Sequence, residues 1–92
     1  MKKISWSSEK NEKLIAERGI SFDDVVYHLE QGNVLDDIDH PNQEKYPNQS
    51  ILILEINNYA YIVPYVENDT EVFLKTIIPS RKLTKQYLGD KS

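Results

Sequence analysis

The sequence predicts an α+β protein whose sheet comes mainly from the second half of the chain. Helical periodicity is confined to residues 7–32 and to the last dozen residues, whereas apolar residues run together or alternate between residues 51 and 78. Turn-forming residues separate these apolar runs at intervals short enough for hairpins. We therefore predict the order β-α-α-β-β-β-β-α, with an antiparallel sheet of four to five strands and all helices packed on one face.

The first thirty residues predict a short extended start followed by two helices. Ser7 or Ser8 is suited to cap a polar helix that runs to Arg18, and Gly19 follows where a left-handed C-cap residue is expected. Ser21 is suited to cap a second helix. The apolar residues of this second helix have the spacing i, i+3, i+4 and i+7: Phe22, Val25, Val26 and Leu29.

The region between the second helix and the central strands predicts an edge strand and a long loop. Val34 and Leu35 form a short apolar pair before a group of acids. Residues 38–49 contain Pro41 and Pro47 and have no apolar periodicity, so they predict a loop of about a dozen residues. Loops of this length in small domains are often functional.

The central part of the chain predicts a hairpin. Residues 51–56 are apolar on both faces except for one glutamate, which is typical of a central strand. Asn57 and Asn58 predict a tight turn, since asparagine tolerates positive φ angles. Residues 59–66 alternate as a second strand, in which Pro64 cannot donate a ladder hydrogen bond, so we expect a bulge or an unpaired side there.

The last third predicts one more strand and a terminal helix. Residues 72–78 form the strand, and after Ser80 a helix runs over residues 81–88 until Gly89 stops it. No repeat or linker interrupts the pattern. A chain of 92 residues has the size of one domain, so we expect a single domain over residues 1–92.

The composition is that of an ordinary globular protein. It is 39% hydrophobic and 28% charged, and it has no cysteine, which excludes disulfides, zinc-thiolate sites and thiol nucleophiles. The start has two lysines but no apolar run of signal-peptide length, and no segment is long enough to cross a membrane. We therefore predict a cytoplasmic protein with no membrane association.

The charge distribution divides the chain. The net charge of −4 argues against a protein that wraps nucleic acid over its whole surface. No Lys or Arg lies between Arg18 and Lys45, where seven acids fall, whereas cations dominate from Lys75 onward. This pattern predicts one surface that approaches an anion and another that meets a basic partner; the alternative is two solvated faces.

Histidines and known motifs offer little chemistry. His28 borders the apolar stripe of the second helix, so we expect a packing or surface role for it. His40 lies in the acidic loop, which lacks a recognisable metal-ligand spacing, so no metal and no cofactor is predicted. The chain contains no serine-hydrolase elbow, no P-loop and no dinucleotide-binding glycine motif.

Tyrosines on one strand predict a binding face. Tyr59, Tyr61 and Tyr65 share one side of the strand that contains them, where they would stack on unpaired bases or contact a protein. The alternative is the half-buried face of a sheet. A protein partner would also meet the acidic segment, in which Asp36 and Asp37 are the central pair.

Cations around the last helix predict a phosphate site. Lys75, Arg81, Lys82 and Lys85 lie near the start of this helix, where free backbone N–H groups also favour anions. RNA cleavage by attack of the 2′-hydroxyl needs charge stabilisation at the phosphate and a group that moves protons. The alternative is a set of solubilising charges.

Several short motifs resemble one known family in order and spacing. They are Trp6, Lys10-Asn11, Arg18-Gly19-Ile20-Ser21-Phe22, Asp24-Val25, Ile77-Ile78-Pro79-Ser80-Arg81-Lys82 and Thr84. Together they resemble the BrnT-type toxins of bacterial type II toxin-antitoxin modules, over nearly the whole chain. The resemblance implies a RelE-like fold and a metal-independent endoribonuclease that inhibits translation. It also implies silencing by a DNA-binding antitoxin encoded beside the toxin, in a heteromeric complex.

The resulting hypothesis assigns a role to each candidate residue. The catalytic candidates are Arg81, Lys82, Tyr87 and His40. The candidates for binding RNA phosphates, on free RNA or on the ribosome, are Lys45, Lys75 and Lys85. The candidates for partner binding are Tyr59, Tyr61, Tyr65, Asp36 and Asp37. The alternative function is a non-catalytic module with the same fold, which binds a partner through the tyrosine face and the acidic segment.

Overall fold

The computed structural model describes residues 2–89 and has the α+β class that the sequence predicts. Its elements are β1 (Lys3–Trp6), α1 (Ser8–Arg18), α2 (Phe22–Glu30), β2 (Val34–Asp39), β3 (Gln49–Ile56), β4 (Tyr59–Glu67), β5 (Glu71–Leu74), β6 (Ile78–Pro79) and α3 (Arg81–Leu88). None of the helices between residues 2 and 89 is long and apolar enough to cross a membrane.

The six strands described form one mixed sheet. The order is β1-β5-β4-β3-β2, and β6 also pairs with β4. β1 runs parallel to β5, whereas the other pairs are antiparallel. The prediction of a wholly antiparallel sheet is therefore wrong for the β1–β5 pair, and the two-residue strand β6 adds one strand to the predicted four to five. Side-chain alternation is the same whichever way a neighbouring strand runs, so the pattern carried no information about the parallel pair.

A proline divides the strand expected over residues 72–78 into β5 and β6. The carbonyl oxygen of Pro64 on β4 accepts a hydrogen bond from the backbone N–H of Lys75 at 2.8 Å. The backbone groups of Pro64 therefore face β5 and β6, and proline has no N–H to donate to these strands. Pairing stops after Leu74 and resumes with Ile78 opposite Ile62. The expected unpaired side at Pro64 is confirmed.

β2 is longer than the sequence predicts. It includes Asp36, Asp37 and Asp39, and it pairs with β3 from Val34 to Asp39 with a bulge between Val34 and Asp36. Asp39, expected in the loop, and Asp36 and Asp37, expected between strand and loop, are thus residues of an edge strand, where charged side chains oppose pairing with other molecules. The irregular connection shortens to residues 40–48.

α1 and α2 cover one face of the sheet and enclose the core. Their caps are the predicted ones: Ser7 Oγ accepts from Lys10 N at 3.2 Å, and Ser21 Oγ accepts from Asp24 N at 3.2 Å. Trp6 of β1 stacks on the buried Phe22 with ring centroids 5.6 Å apart. The buried cluster contains Leu14, Ile20, Phe22, Val25, Leu52, Leu54, Ile56, Val63, Tyr65, Leu74 and Ile77.

α3 lies on the opposite face, so the prediction that all helices pack on one face is wrong. Adjacent strand residues point to opposite sides of a sheet. Asp37 binds the hydroxyl of Tyr65 on the α1/α2 side, and Asp36 binds the hydroxyl of Tyr87 on α3. Because β3 is apolar on both sides, its second side also needs a cover, and Ile53 is buried there.

The β3–β4 turn has the predicted conformation. Asn57 and Asn58 have φ angles of 54° and 64°. Two consecutive left-handed residues match the right-handed twist of a hairpin, and asparagine adopts this conformation at lower cost than most residues. The turn fixes the long β3–β4 register, from Ile56 opposite Tyr59 to Gln49 opposite Val66.

Candidate nucleic-acid interface

The start of α3 is fixed to the sheet by its own side chains. Ser80 is the N-cap, and its Oγ accepts from the backbone N–H of Leu83 at 3.1 Å. Thr84 Oγ1 accepts from the backbone N–H of Ala60 at 2.8 Å and donates to the carbonyl of Ser80 at 2.7 Å. The first turn of α3 is thereby attached to the start of β4.

Three cations lie on the solvent side of α3. Arg81, Lys82 and Lys85 are exposed, whereas Leu83, Thr84, Tyr87 and Leu88 are half-buried. Arg81 and Lys85 are one turn apart and share a side of the helix. Within residues 2–89 the only ion pair joins Lys2 and Glu67 at 2.8 Å, so none of these three cations is paired with a described carboxylate. We refer to Arg81, Lys82 and Lys85 as the α3 cationic surface.

Tyr87 is turned away from this surface. Its hydroxyl donates to Asp36 Oδ2 at 2.8 Å, and this hydrogen bond to a carboxylate raises the pKa of Tyr87 above the ordinary value of 10.0. At neutral pH the hydroxyl therefore keeps its proton and acts as a donor. In this arrangement Tyr87 attaches α3 to β2.

Lys75 lies in the gap between β5 and β6. Its side chain is exposed, and its Nζ is 3.4 Å from Gln49 Oε1 on β3. The preceding residue, Leu74, is buried in the core beneath α1 and α2. Alternation therefore places Lys75 on the same side of the sheet as α3.

His40 and Lys45 form a separate group in the β2–β3 loop. The His40 ring lies 4.4 Å from the Tyr46 ring, and its Nδ1 accepts from the backbone N–H of Asn42 at 3.0 Å. Lys45 Nζ is 5.5 Å from the centre of the same Tyr46 ring. About 10 Å of β2 separates Asp36, which binds α3, from Asp39 beside this loop. The structure does not bring His40 and Lys45 to the α3 cationic surface.

The three tyrosines of β4 have different surroundings. Tyr65 is only 8% exposed and belongs to the core, where its hydroxyl donates to Asp37 Oδ1 at 2.6 Å. Burial, together with this bond, raises the pKa of Tyr65 to about 12. Tyr59 and Tyr61 are half-buried, with ring centroids 5.8 Å apart. The three rings therefore do not form one open stripe.

A polar cleft opens between the α1–α2 turn and the β3–β4 hairpin. It has a volume of about 420 Å³. The side chains that give it chemical character are Arg18, Asp24, Tyr27, His28, Asn57 and Tyr61. Of these, only Tyr61 is predicted from the sequence as a binding residue. Arg18 and Asp24 belong to the short motifs of the family resemblance but have no predicted role in a site, and Tyr27, His28 and Asn57 belong to no motif. Their proximity results from the tertiary structure.

No group of three or more His, Asp or Glu side chains within residues 2–89 is arranged to hold a metal ion. Comparisons with protein-family models, with curated proteins and with solved structures found no match for this chain.

Proposed function

We propose that this protein is the toxin of a type II toxin-antitoxin system and acts in the cytoplasm as a ribonuclease that inhibits translation. The observation that carries the proposal is the α3 cationic surface: three exposed cations on a helix fixed to the sheet, none of them in an ion pair with a described carboxylate. The resemblance to BrnT-type toxins, with its RelE-like fold, supports the same function.

RNA phosphates suit the α3 cationic surface for two physical reasons. The guanidinium of Arg81 can donate two parallel hydrogen bonds to phosphate oxygens, and Lys82 and Lys85 add point charges nearby. The first backbone N–H groups of α3 point outward with the positive end of the helix dipole. Such cations also stabilise the charge that develops when a 2′-hydroxyl attacks the phosphate, and this step needs no metal.

The acidic segment supports an antitoxin partner. Residues 19–44 contain no Lys or Arg, and Asp23, Glu30, Asp39 and Glu44 are exposed along it. We propose that a basic part of a DNA-binding antitoxin, encoded next to this chain, binds there in a heteromeric complex. Charge complementarity of this kind speeds association and suppresses wrong pairing.

Expression of the chain alone tests the toxin hypothesis. We expect growth arrest and fragmented RNA, and we expect Arg81→Gln to relieve both, because it removes the charge and the fork that hold the phosphate. Lys13→Gln is the matched control, since it removes one exposed cation from α1 on the other side of the sheet. Co-expression of the neighbouring gene should restore growth. Normal growth and intact RNA with a soluble, folded chain would refute the proposal.

A second candidate is a non-catalytic protein-binding module with the same fold. It is favoured by one observation: the hydroxyl of Tyr87 is bound to Asp36 and has a raised pKa, so this catalytic candidate supplies no base at neutral pH. Under this alternative the chain still binds the neighbouring gene product. Growth, however, continues when the chain is expressed alone, and Arg81→Gln has little effect.

A further inference from the structure

The first feature of the polar cleft is a fixed guanidinium. Arg18, the last residue of α1, donates from Nη1 to the carbonyl oxygen of Ile77 at 2.6 Å. An arginine side chain has five N–H donors in one plane, so most of the fork of Arg18 remains available. Gly19 follows in the left-handed conformation, with φ 66°, and ends the helix at the mouth of the cleft. The remaining N–H groups of Arg18 can donate hydrogen bonds to a ligand that carries an anionic group.

The second feature is a carboxylate with one occupied oxygen. Asp24 Oδ2 accepts from the backbone N–H of Ser21 at 2.9 Å, within the capping box of α2. Within residues 2–89, Asp24 Oδ1 accepts no hydrogen bond and Asp24 is not paired with Arg18. The free oxygen can accept a hydrogen bond from a hydroxyl group. The negative charge of Asp24 also offsets the positive charge of Arg18, so we expect a simple anion such as inorganic phosphate to bind only weakly in the cleft.

The third feature is an aromatic wall. Tyr27 is 58% exposed, and its ring meets the His28 ring edge-on at 5.2 Å. The His28 ring is held in turn by Asn33, whose Nδ2 lies 2.8 Å from His28 Nδ1. Tyr61 closes the cleft from β4. Aromatic faces of this kind stack on nucleic-acid bases of any sequence.

We propose that the polar cleft binds one ribonucleotide. Arg18 holds the phosphate, Asp24 accepts from a ribose hydroxyl, and the base stacks on Tyr27. A cleft of about 420 Å³ is within the usual range for ligands of this size. The identity of the natural ligand rests on the proposed function: if the protein is a ribonuclease, the cleft binds a single nucleotide of the RNA substrate. A ribose contact would distinguish RNA from DNA.

The test is a titration of the full chain, followed by amide NMR, with uridine 5′-monophosphate, its 2′-deoxy counterpart and inorganic phosphate. We expect shifts at Gly19, Tyr27 and Asn57, binding about threefold weaker for the deoxynucleotide, and little response to phosphate. No shifts at these amides with uridine monophosphate would overturn the proposal. An equal response to inorganic phosphate, or to the deoxynucleotide, would also overturn it.

Two variants separate the contacts from the fold. Arg18→Gln should weaken nucleotide binding about tenfold, because a charge-assisted contact is lost. Tyr27→Ala should weaken it about fivefold through the loss of stacking, and we expect this variant to fold because Tyr27 is largely exposed. Lys13→Gln, outside the cleft, is the control. Nucleotide binding is measured independently of toxicity. A chain that binds the nucleotide but does not arrest growth refutes the proposed function alone. A chain that arrests growth but does not bind the nucleotide refutes this inference alone.

Discussion

At the scale of single residues, two adjacent acids connect the two sides of the sheet. Asp36 and Asp37 are neighbours on β2 and therefore point in opposite directions. Asp37 accepts from Tyr65 in the core, and Asp36 accepts from Tyr87 on α3. Both oxygens of Asp36 accept a hydrogen bond, one from Tyr87 and one from the backbone N–H of Asp37. Asp37 Oδ2 accepts none from residues 2–89, so of the two carboxylates Asp37 has the oxygen that a partner can use.

Tyr65 should make the protein sensitive to alkali. Its folded-state pKa is about 12, against 10.0 for an ordinary tyrosine, so the folded state favours the protonated hydroxyl. This contribution to stability is present below pH 10 and is lost as the pH rises from about 10 to about 12. We expect Tyr65→Phe to lower the free energy of unfolding by about 1 kcal/mol at neutral pH and to reduce the loss above pH 10.

Urea denaturation at a series of pH values measures both effects. Tyr46→Phe is the matched control, because Tyr46 lies in the β2–β3 loop and is 37% exposed. It should show the alkaline loss of the parent protein. An alkaline loss of the same size in Tyr65→Phe would show that this hydroxyl is not its source.

At the scale of elements, α3 depends on its attachments. It has eight residues, and an isolated helix of this length is unstable in water. The Ser80 cap and the Thr84 bonds hold its first turn, and the Tyr87–Asp36 bond holds its end. These bonds keep the α3 cationic surface in one orientation, which a phosphate site requires.

Tyr87→Phe should loosen the end of α3 without unfolding the protein. The ring is kept, but the hydrogen bond to Asp36 is lost, so we expect local opening of the last turn to become about fivefold more frequent. Amide hydrogen exchange measures this at Tyr87 and Leu88, with the α1 amides as an internal reference. Unchanged exchange at the end of α3 would contradict the role given to this bond.

At the scale of the whole molecule, stability comes mainly from the layer between the sheet and α1 with α2. The buried cluster lies there, whereas the face beneath α3 is covered only in part. On that face Ile38 is 41% exposed, whereas Leu54, in the core, is fully buried. The two residues allow a direct comparison of the two sides.

Leu54→Ala should lower the free energy of unfolding by about 2–5 kcal/mol, because it removes buried methyl groups and leaves a cavity. Ile38→Ala is the matched change on the other face, and we expect a cost below about 1 kcal/mol because much of its side chain is already in water. Urea denaturation followed by circular dichroism compares them. Equal decreases in the free energy of unfolding would contradict this prediction, because they would show that the face beneath α3 contributes as much to stability as the face beneath α1 and α2.

The local features of this protein could be predicted from the sequence alone. Ser21 and Ser80 cap helices because a serine oxygen can accept the first free N–H groups in any tertiary setting. Asn57 and Asn58 form the hairpin turn because their own backbone preferences suffice. Arg81, Lys82 and Lys85 share a surface because they are close in sequence on one helix. All of these follow from interactions within a few residues.

Three features depend on the tertiary structure: the parallel pairing of β1 with β5, the side on which α3 packs, and the residues that line the polar cleft. Trp6 and Leu74 are partners although 68 positions separate them, and Arg18 reaches the carbonyl of Ile77 across a similar span. Local preference does not encode such pairings. They are chosen by the burial of the whole core, because β3 is apolar on both sides and the chain must cover each of them.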